Sequence, residues 1–276
     1  MAEMHGVGPR AALVSLCAVM AALAASALPA AGQGQPPAGH APHWTYDGPE
    51  GPPHWAGLSH DFASCGVGHE QSPIDIDTRA AAPLTAGRAG FDRATIEPAT
   101  ADALSTDIVN NGHTVQVDTS GSSAVVIGGE RYVLQQFHFH SPSEHTVDGR
   151  SFPLEAHLVH KAADGRLAVV GVLFEEGAAN EVLAPLWKTL PKTAGKPIDL
   201  GREAVHVGQL VPGREAYRYA GSLTTPPCSE GVRWFVMKEH AAASAAQIAA
   251  LREAVRHNSR PAQPLNGRAV YVEAVR

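Results

Sequence analysis

The sequence has 276 residues and carries 21 Lys and Arg against 27 Asp and Glu, which gives a formal net charge of −6. An acidic balance without a run of basic residues argues against nucleic acid or an anionic membrane surface as a partner. From about His43 onward the composition is that of one globular domain, long enough to bury a substantial core.

The first residues have the pattern of an export signal. Arg10 precedes the apolar run AALVSLCAVMAALAASALPAAG, which ends in small residues. We expect a signal peptide over residues 1–31, a flexible lead-in rich in Gly and Pro over 32–42, and the folded domain over 43–276. A membrane anchor and a lipoprotein signal at Cys17 are alternatives, but the run is weakly apolar for a span and continues beyond that cysteine. We therefore predict an exported protein, periplasmic or secreted.

The cysteine count agrees with export. Removal of the signal peptide takes Cys17 with it and leaves Cys65 and Cys228. An exported protein with two cysteines most simply pairs them, so we predict a disulfide that encloses more than half of the domain. Two unrelated buried thiols are the alternative.

In chain order, the domain reads mostly as strands separated by turns. Alternating apolar residues flank turns at 110–112, at a Gly-Gly pair and at 163–165, which predicts three pairs of strands. The segments with this pattern are TDIVNNGHTVQVDT, SAVVIGGERYVLQQFHFH, FPLEAHLVHKAADGRLAVVGVLFEEG and, as a single strand, GVRWFVMKE. Helical spacing appears in NEVLAPLWKTL and SAAQIAALREAVRH.

These elements define a fold class. The two helices do not alternate regularly with the strands, which argues against a doubly wound parallel sheet. We predict a mainly β (α+β) single domain with a large, mostly antiparallel, central twisted β-sheet. Short helices lie at its periphery, and long loops such as Pro49 to Gln71 pack on its surface.

The segment QQFHFHSPSEHTVDG concentrates titratable residues at the end of a predicted strand. Successive side chains of a strand point to opposite faces, so His138 and His140 share one face. A third ligand is expected from the next strand, where LEAHLVH offers His157 and His160. These two are three positions apart and face opposite sides, and His157 has the spacing of an antiparallel return.

Three neutral imidazoles with an open fourth position are typical of a catalytic zinc site. A cupin-like site is the alternative, because Glu144 follows His140 by four positions and would itself be a ligand for iron or manganese. Pro142 indicates that the strand has ended before Glu144, which weakens that alternative without excluding it. Imidazole ligands also accept several metals.

Six motifs in unbroken order, together with the opening segment HWTYDGPEGPPHWAGL, resemble an α-class carbonic anhydrase of the bacterial, exported type. The motifs are QSPIDI, NNGHTVQV, QFHFHSPSEHTVDG, EAHLVH, GSLTTPPCSEGVRWFV and SRPAQPLNGRAV. The resemblance spans roughly 43–276 and implies reversible hydration of carbon dioxide to bicarbonate and a proton by zinc-bound hydroxide, with weak esterase activity on the side. The motifs outside the histidine segment have no explanation in a cupin.

The resemblance also assigns roles to individual residues. It implies zinc bound by His138, His140 and His157. The second nitrogens of these rings would be held by Gln136, the backbone carbonyl of Asn258 and Glu155, respectively. It further implies that Thr224 accepts a hydrogen bond from the hydroxide and donates its own to Glu144.

Other positions follow from the same resemblance. His113 would be the proton shuttle, although a histidine in an ordinary turn would look the same. The apolar pocket for carbon dioxide would be lined by Val159, Val169, Leu223 and Thr225, and the disulfide between Cys65 and Cys228 would match that of exported members. The remaining histidines are interpreted as surface or packing residues: His43, His54, His60, His69, His145, His206, His240 and His257.

The expected partners are small molecules, carbon dioxide and bicarbonate. We expect no nucleic acid and no stable membrane span once the signal is removed. A homodimer is an alternative to a monomer that the sequence does not decide. Lys161 and the Ser141-Pro142 pair depart from animal members; neither touches a proposed catalytic position, and the resemblance does not define the rim of the pocket or the inhibitor preference. A catalytically inactive binding module on this fold is the last alternative, and the intact set of three histidines with Thr224 and Glu144 argues against it.

Overall fold

The computed structural model describes residues 42–85, 92–96, 104–121 and 123–275. The predicted signal peptide and nearly all of the predicted lead-in lie outside these residues. No helix in the described part of the chain is long and apolar enough to cross a membrane.

Strands dominate this structure. They are β1 Asp75–Ile76, β2 Ala82–Pro83, β3 Ala94–Ile96, β4 Leu104–Asn110, β5 Val115–Ser120, β6 Ala124–Ile127, β7 Glu130–His140, β8 Thr146–Val147, β9 Leu154–Ala162, β10 Leu167–Glu176, β11 Ile198–Asp199, β12 Glu215–Ser222, β13 Glu230–Met237, β14 Ala241–Ala243 and β15 Tyr271–Ala274. The predicted hairpins correspond to β4–β5, β6–β7 and β9–β10, and the predicted single strand is β13. Two-residue strands such as β2 and β11, and the longer β12, were not predicted.

The helices are short and peripheral. The α-helices are α1 Trp55–Leu58, α2 Ser64–Val67, α3 Ala184–Lys188 and α4 Ala245–Val255, and 3-10 turns cover Gly48–Glu50, Pro52–His54, His60–Phe62, Gly201–Glu203 and Val207–Leu210. The two predicted helical segments contain α3 and α4. A capping box begins α4, in which the Ser244 side chain accepts from the backbone of Gln247 and the Gln247 side chain accepts in return. In place of a wholly irregular loop, segment 48–67 folds into successive helical turns.

One sheet of 13 strands organises the described residues, with β11-β4-β5-β7-β9-β10-β13-β12-β15-β2 as its continuous path. Most neighbours are antiparallel, but β10 pairs in parallel with β13 and β14, and β15 with β2. The large, mostly antiparallel sheet is therefore confirmed, and the parallel pairs make it a mixed sheet. A separate parallel pair joins β1 to β8.

The register between β7 and β9 changes once along their length. Leu134 is paired with His160, whereas Gln136 is paired with Val159, so Gln135 is an extra residue on β7. Beyond this bulge the strands run in register to the end of β7, where His140 is paired with Glu155.

The two faces of the sheet have different partners. One face carries the larger apolar core, to which Phe137 and Phe139 belong, and into which α3 and α4 pack. The opposite face carries a smaller cluster that includes Val169 and Trp234. The predicted alternation in the segment 137–140 is therefore confirmed, because the phenylalanines enter the core and leave the histidines on the opposite face.

Candidate metal centre

Three histidines from adjacent strands lie on one face of the sheet. β7 supplies His138 and His140, and β9 supplies His157, whose Cα is paired with that of His138. One nitrogen from each ring lies within 4.8 Å of the corresponding nitrogens of the other two. His140 and His157 are buried, with 0% and 1% of their surface exposed. The structure thus brings together the three residues that the sequence predicts as metal ligands.

The second nitrogen of each ring is occupied by a hydrogen bond. The pairs are His138 Nδ1 with Gln136 Oε1 at 2.9 Å, His140 Nδ1 with Asn258 O at 2.7 Å, and His157 Nε2 with Glu155 Oε1 at 2.8 Å. Because the partners are oxygen acceptors, this nitrogen of each ring carries the proton and donates the hydrogen bond. The other nitrogen of each ring keeps a lone pair that can bind a metal. The free Nε2 of His140 is buried and has no hydrogen-bond partner.

Burial keeps these imidazoles neutral. It lowers the pKa of His138 and His157 from the ordinary histidine value, and it lowers the pKa of His140 to about 4. A neutral imidazole is the form that binds metal. Three neutral nitrogen donors around one point, one of them buried without a partner, fit a zinc ion.

Glu144 lies directly behind this cluster. Its Oε1 accepts a hydrogen bond from the backbone N–H of Arg260 at 2.9 Å, and its Oε2 lies 3.8 Å from Nδ1 of His157. Burial raises the pKa of Glu144 to about 7, while His157, the Arg260 N–H and the Thr224 hydroxyl act in the opposite direction. Oε2 of Glu144 has no hydrogen-bond partner. The Thr224 hydroxyl is nevertheless close enough to stabilise the charged form of the Glu144 carboxylate. Thr224 and Glu144 are thus neighbours.

Glu155 is the centre of a buried network that the sequence did not reveal. Its Oε2 accepts from the backbone N–H groups of Glu144 and His145, both at 2.9 Å, and its Oε1 accepts from the His145 ring at 2.7 Å as well as from His157. Burial opposes ionisation of Glu155, but His145 and His157 outweigh it and hold the pKa of this carboxyl well below its usual range. The other ring nitrogen of His145 contacts the Tyr219 hydroxyl at 2.7 Å.

His145 is therefore a packing residue, as predicted, but one bonded to the partner of a metal-site histidine. No local pattern distinguishes it from other histidines, because its contacts to Glu155 and Tyr219 are made across 10 and 74 positions. Both ring nitrogens of His145 and both carboxylate oxygens of Glu155 already have hydrogen-bond partners. The second grouping of possible ligands in this region, His145 with Glu155 and His157, is therefore a hydrogen-bond network.

Three of the residues predicted to line an apolar pocket lie in one cluster beside the histidines. Val159 and Val169 are Cα partners between β9 and β10, and Val169 is in turn paired with Trp234 of β13. Leu223 packs against the same cluster, and the Trp234 ring lies 4.8 Å from that of His157. Sequence reasoning did not identify Trp234, which belongs to this cluster and is buried.

Thr225, the fourth predicted pocket residue, is half-buried just after Thr224 in the loop between β12 and β13. Its carbonyl accepts from the backbone of Cys228 at 2.8 Å. Cys228 and Cys65 form a disulfide, in agreement with the prediction, and join this loop to α2. The bond between Pro226 and Pro227, which the sequence left undecided, is cis.

His113 stands apart from the three-histidine cluster, in the turn between β4 and β5. It is half-buried, and its ring is stacked on Trp44 with the centroids 3.8 Å apart and the planes inclined by 9°. Both rings line a cleft of about 350 Å³, whose charged and titratable lining includes His43, Asp47, Arg256 and His257. Burial and the nearby charge of His43 lower the pKa of His113.

Comparison with known proteins identifies the family. The family model described as eukaryotic-type carbonic anhydrase matches residues 50–274. A carbonic anhydrase of Pectobacterium carotovorum is 44% identical over 230 residues, which is 83% of this chain and 90% of that protein. The chain belongs to the eukaryotic-type, or α, carbonic anhydrase family. This assignment overturns the cupin-like alternative.

Solved structures agree with this assignment. The α-carbonic anhydrase of Thermovibrio ammonificans in complex with the inhibitor sulfanilamide has a TM-score of 0.77 and 42% identity, covering 84% of this chain and all of that one. Dioscorin in complex with ascorbate has a TM-score of 0.75 and 35% identity, covering 84% of this chain and 98% of that one. The fold is thus common to proteins named as carbonic anhydrases and to dioscorin.

Proposed function

We propose that this carbonic anhydrase is a zinc enzyme that catalyses the reversible hydration of carbon dioxide to bicarbonate and a proton. The observation that carries the proposal is the convergence of three neutral imidazole nitrogens, each oriented by a hydrogen bond from its other nitrogen. His138, His140 and His157 would hold the metal. As is established for carbonic anhydrases in general, zinc in such a site makes hydroxide available near neutral pH.

The residues around the cluster would orient the reaction. If Glu144 accepts the hydroxyl proton of Thr224, the threonine oxygen can only accept a hydrogen bond from the nucleophile. The nucleophile then has a defined direction toward the substrate carbon. The backbone N–H of Arg260 donates a hydrogen bond to Oε1 of Glu144 and fixes the carboxylate in the position that this relay needs.

The wall of Val159, Val169, Leu223 and Thr225 would hold carbon dioxide, which has no net charge or dipole and needs only weak apolar contact. Trp234 extends this wall beside His157. The same nucleophile would attack activated esters slowly, so weak esterase activity is part of the proposal.

His113 would carry the proton from the site to buffer. A ring nitrogen of a half-buried histidine takes up and releases a proton near neutral pH when its pKa stays within range of that pH. The cleft that it shares with Trp44 leads to the surface, which provides a route of exit.

The proposal includes export. The apolar run after Arg10 supports a signal peptide over 1–31, with a lead-in over 32–42 and a mature domain over 43–276. The disulfide between Cys65 and Cys228 supports an oxidising compartment, periplasmic or extracellular. The proposed partners are carbon dioxide and bicarbonate, and the mature protein would act as a monomer or a homodimer.

Stopped-flow hydration of carbon dioxide and zinc content, measured on the mature protein, test the proposal. We expect one zinc per chain and fast hydration, both lost in His157→Ala and both retained in His60→Ala, a matched change at an exposed histidine. Zinc binding without hydration would instead indicate a binding module. Hydration that survives in His157→Ala would contradict the proposed ligand set.

A further inference from the structure

A three-residue segment after α4, Asn258 to Arg260, connects the separate parts of the candidate site. We refer to it as the 258–260 segment. All three residues are buried, with 0%, 6% and 2% of their surface exposed. Sequence reasoning assigned a role only to the main-chain carbonyl of Asn258. The side chain of that residue makes more contacts than the carbonyl does.

The Asn258 side chain uses both of its polar atoms. Its Oδ1 accepts from the backbone N–H of Ser141 at 2.8 Å. Its Nδ2 donates to the carbonyl of Phe139 at 2.9 Å and to the carbonyl of His113 at 3.2 Å. The backbone carbonyl of the same residue accepts from His140 Nδ1 at 2.7 Å. One side chain therefore bridges the end of the strand that carries the metal-site histidines and the turn that carries His113.

The segment is a fixed point for these contacts. The Ser259 hydroxyl donates to the carbonyl of Pro142. The Arg260 guanidinium donates to the carbonyls of Ser72 and Cys65, at 2.8 and 2.9 Å. Because the neighbours of Asn258 are bound independently of it, loss of its side chain would remove the contact to the carbonyl of His113 and leave the segment itself in place.

The backbone of His113 is held from both sides. Its N–H donates to Oδ1 of Asn111 at 2.9 Å, and its carbonyl accepts from Asn258. The imidazole is stacked on Trp44. With the peptide groups fixed on each side, the remaining freedom of this residue is rotation of its ring, which is the motion that a shuttle requires.

We propose that the Asn258 side chain is a positioning residue for proton transfer, which it serves by fixing the backbone of His113 to the strand of the metal-site histidines. The proposal rests on the proposed function, in which His113 is the shuttle. It assigns to the Asn258 amide a task separate from that of the Asn258 carbonyl, which orients His140.

The two tasks have different kinetic consequences. Proton release follows the hydration step, so a displaced shuttle lowers kcat and leaves kcat/KM nearly unchanged. A displaced ligand histidine lowers both. Asn258→Ala removes the amide and keeps the carbonyl, and Asn258→Asp keeps an acceptor for Ser141 while removing the donor to His113 and Phe139.

Both variants are measured as zinc-loaded mature protein in dilute buffer. We expect kcat to fall about ten-fold, part of the 10²–10⁴-fold that a positioned proton-transfer group contributes, with kcat/KM within about two-fold of wild type. Added imidazole should restore kcat. Asn180→Ala is the matched control, because that side chain also bridges two segments through backbone contacts, remote from the site, at Val182, Leu183 and Ala242. It should lower thermal stability and leave kcat unchanged.

NMR of the histidine rings in the zinc-loaded proteins gives a readout independent of activity. In wild type the His113 ring protons should carry the upfield shift caused by the stacked Trp44 ring, and in Asn258→Ala this shift should diminish. Unchanged His113 shifts, or a parallel fall of kcat and kcat/KM without imidazole rescue, would overturn the proposal. If wild type does not hydrate carbon dioxide, the proposed function fails, while the NMR comparison still tests the link between Asn258 and His113.

Discussion

His160 is a buried histidine that takes no part in the candidate site, and it should make the fold sensitive to acid. It faces the larger core from β9, is paired with Leu134 on one side and Ala168 on the other, and is 4% exposed. Its Nδ1 has no hydrogen-bond partner. Burial lowers its pKa to about 4, and the backbone of Leu158 and Ala168 offsets only part of that effect. Between about pH 4 and pH 6.5, the unfolded chain would therefore bind a proton at His160 that the folded protein does not bind.

The sign of the effect follows from this direction. The folded pKa is below the unfolded value of 6.5, so the stabilisation is complete above pH 6.5 and is lost as the pH falls toward 4. At pH 4.5 the unfolded chain carries the proton almost fully and the folded protein only partly. With a pKa of about 4 in the folded protein and 6.5 in the unfolded chain, proton linkage lowers the free energy of unfolding at pH 4.5 by about 2.5 kcal/mol relative to pH 7.

The measurement is urea unfolding of metal-free protein at pH 7 and pH 4.5, for wild type and His160→Leu. Other groups titrate over this range in both proteins, so the quantity of interest is the difference between the two pH-dependent losses. We expect the variant to retain about 2.5 kcal/mol more of its pH 7 stability. His60→Gln, at an exposed position, should lose as much as wild type does. An equal loss in wild type and His160→Leu would refute the reasoning.

Three further predictions concern stability. Replacing Cys65 and Cys228 by serine opens a closure of 163 positions and should lower the unfolding free energy by at most about 5 kcal/mol, measured in urea. Arg218→Met leaves Glu273, its buried partner at 2.7 Å, without a counter-charge and should cost about 3–5 kcal/mol; adding Glu273→Leu should recover part of this, and no recovery would contradict the argument. Ser244→Ala removes the cap of α4 and should cost about 1 kcal/mol, checked by thermal unfolding.

Local patterns were sufficient for the hairpins and for the histidine face. The turn at 110–112 and the alternation over 137–140 depend on neighbouring residues, and the structure agrees with both. The helix α4 was also predicted from the sequence, because its apolar spacing lies within one segment. The resemblance to a known family supplied the remaining site residues, among them Thr224.

Contacts made across the sheet could not be read in this way. The side chain of Asn258 contacts Phe139 and Ser141 from more than a hundred positions away, and no short motif encodes such a distance. The strand β12 was missed because EAYRYAGS is buried on both faces by its neighbours and therefore lacks the alternation of apolar and polar residues that marks a half-buried strand. Segment 48–67 has the Pro and Gly content of a loop, and its helical turns depend on packing around Trp55.

The bulge at Gln135 determines what this sheet can tolerate in evolution and in design. Before the bulge, Leu134 points into the larger core, and strict alternation would send residues 136, 138 and 140 the same way. The extra residue reverses the alternation, so that Phe137 and Phe139 enter the core instead. Deleting Gln135 would leave a regular strand with the same two faces, whereas straightening the bulge with Gln135 in place would turn the pair of histidines inward without altering a single ligand. The spacing of this strand is as much a part of the metal centre as the histidines themselves.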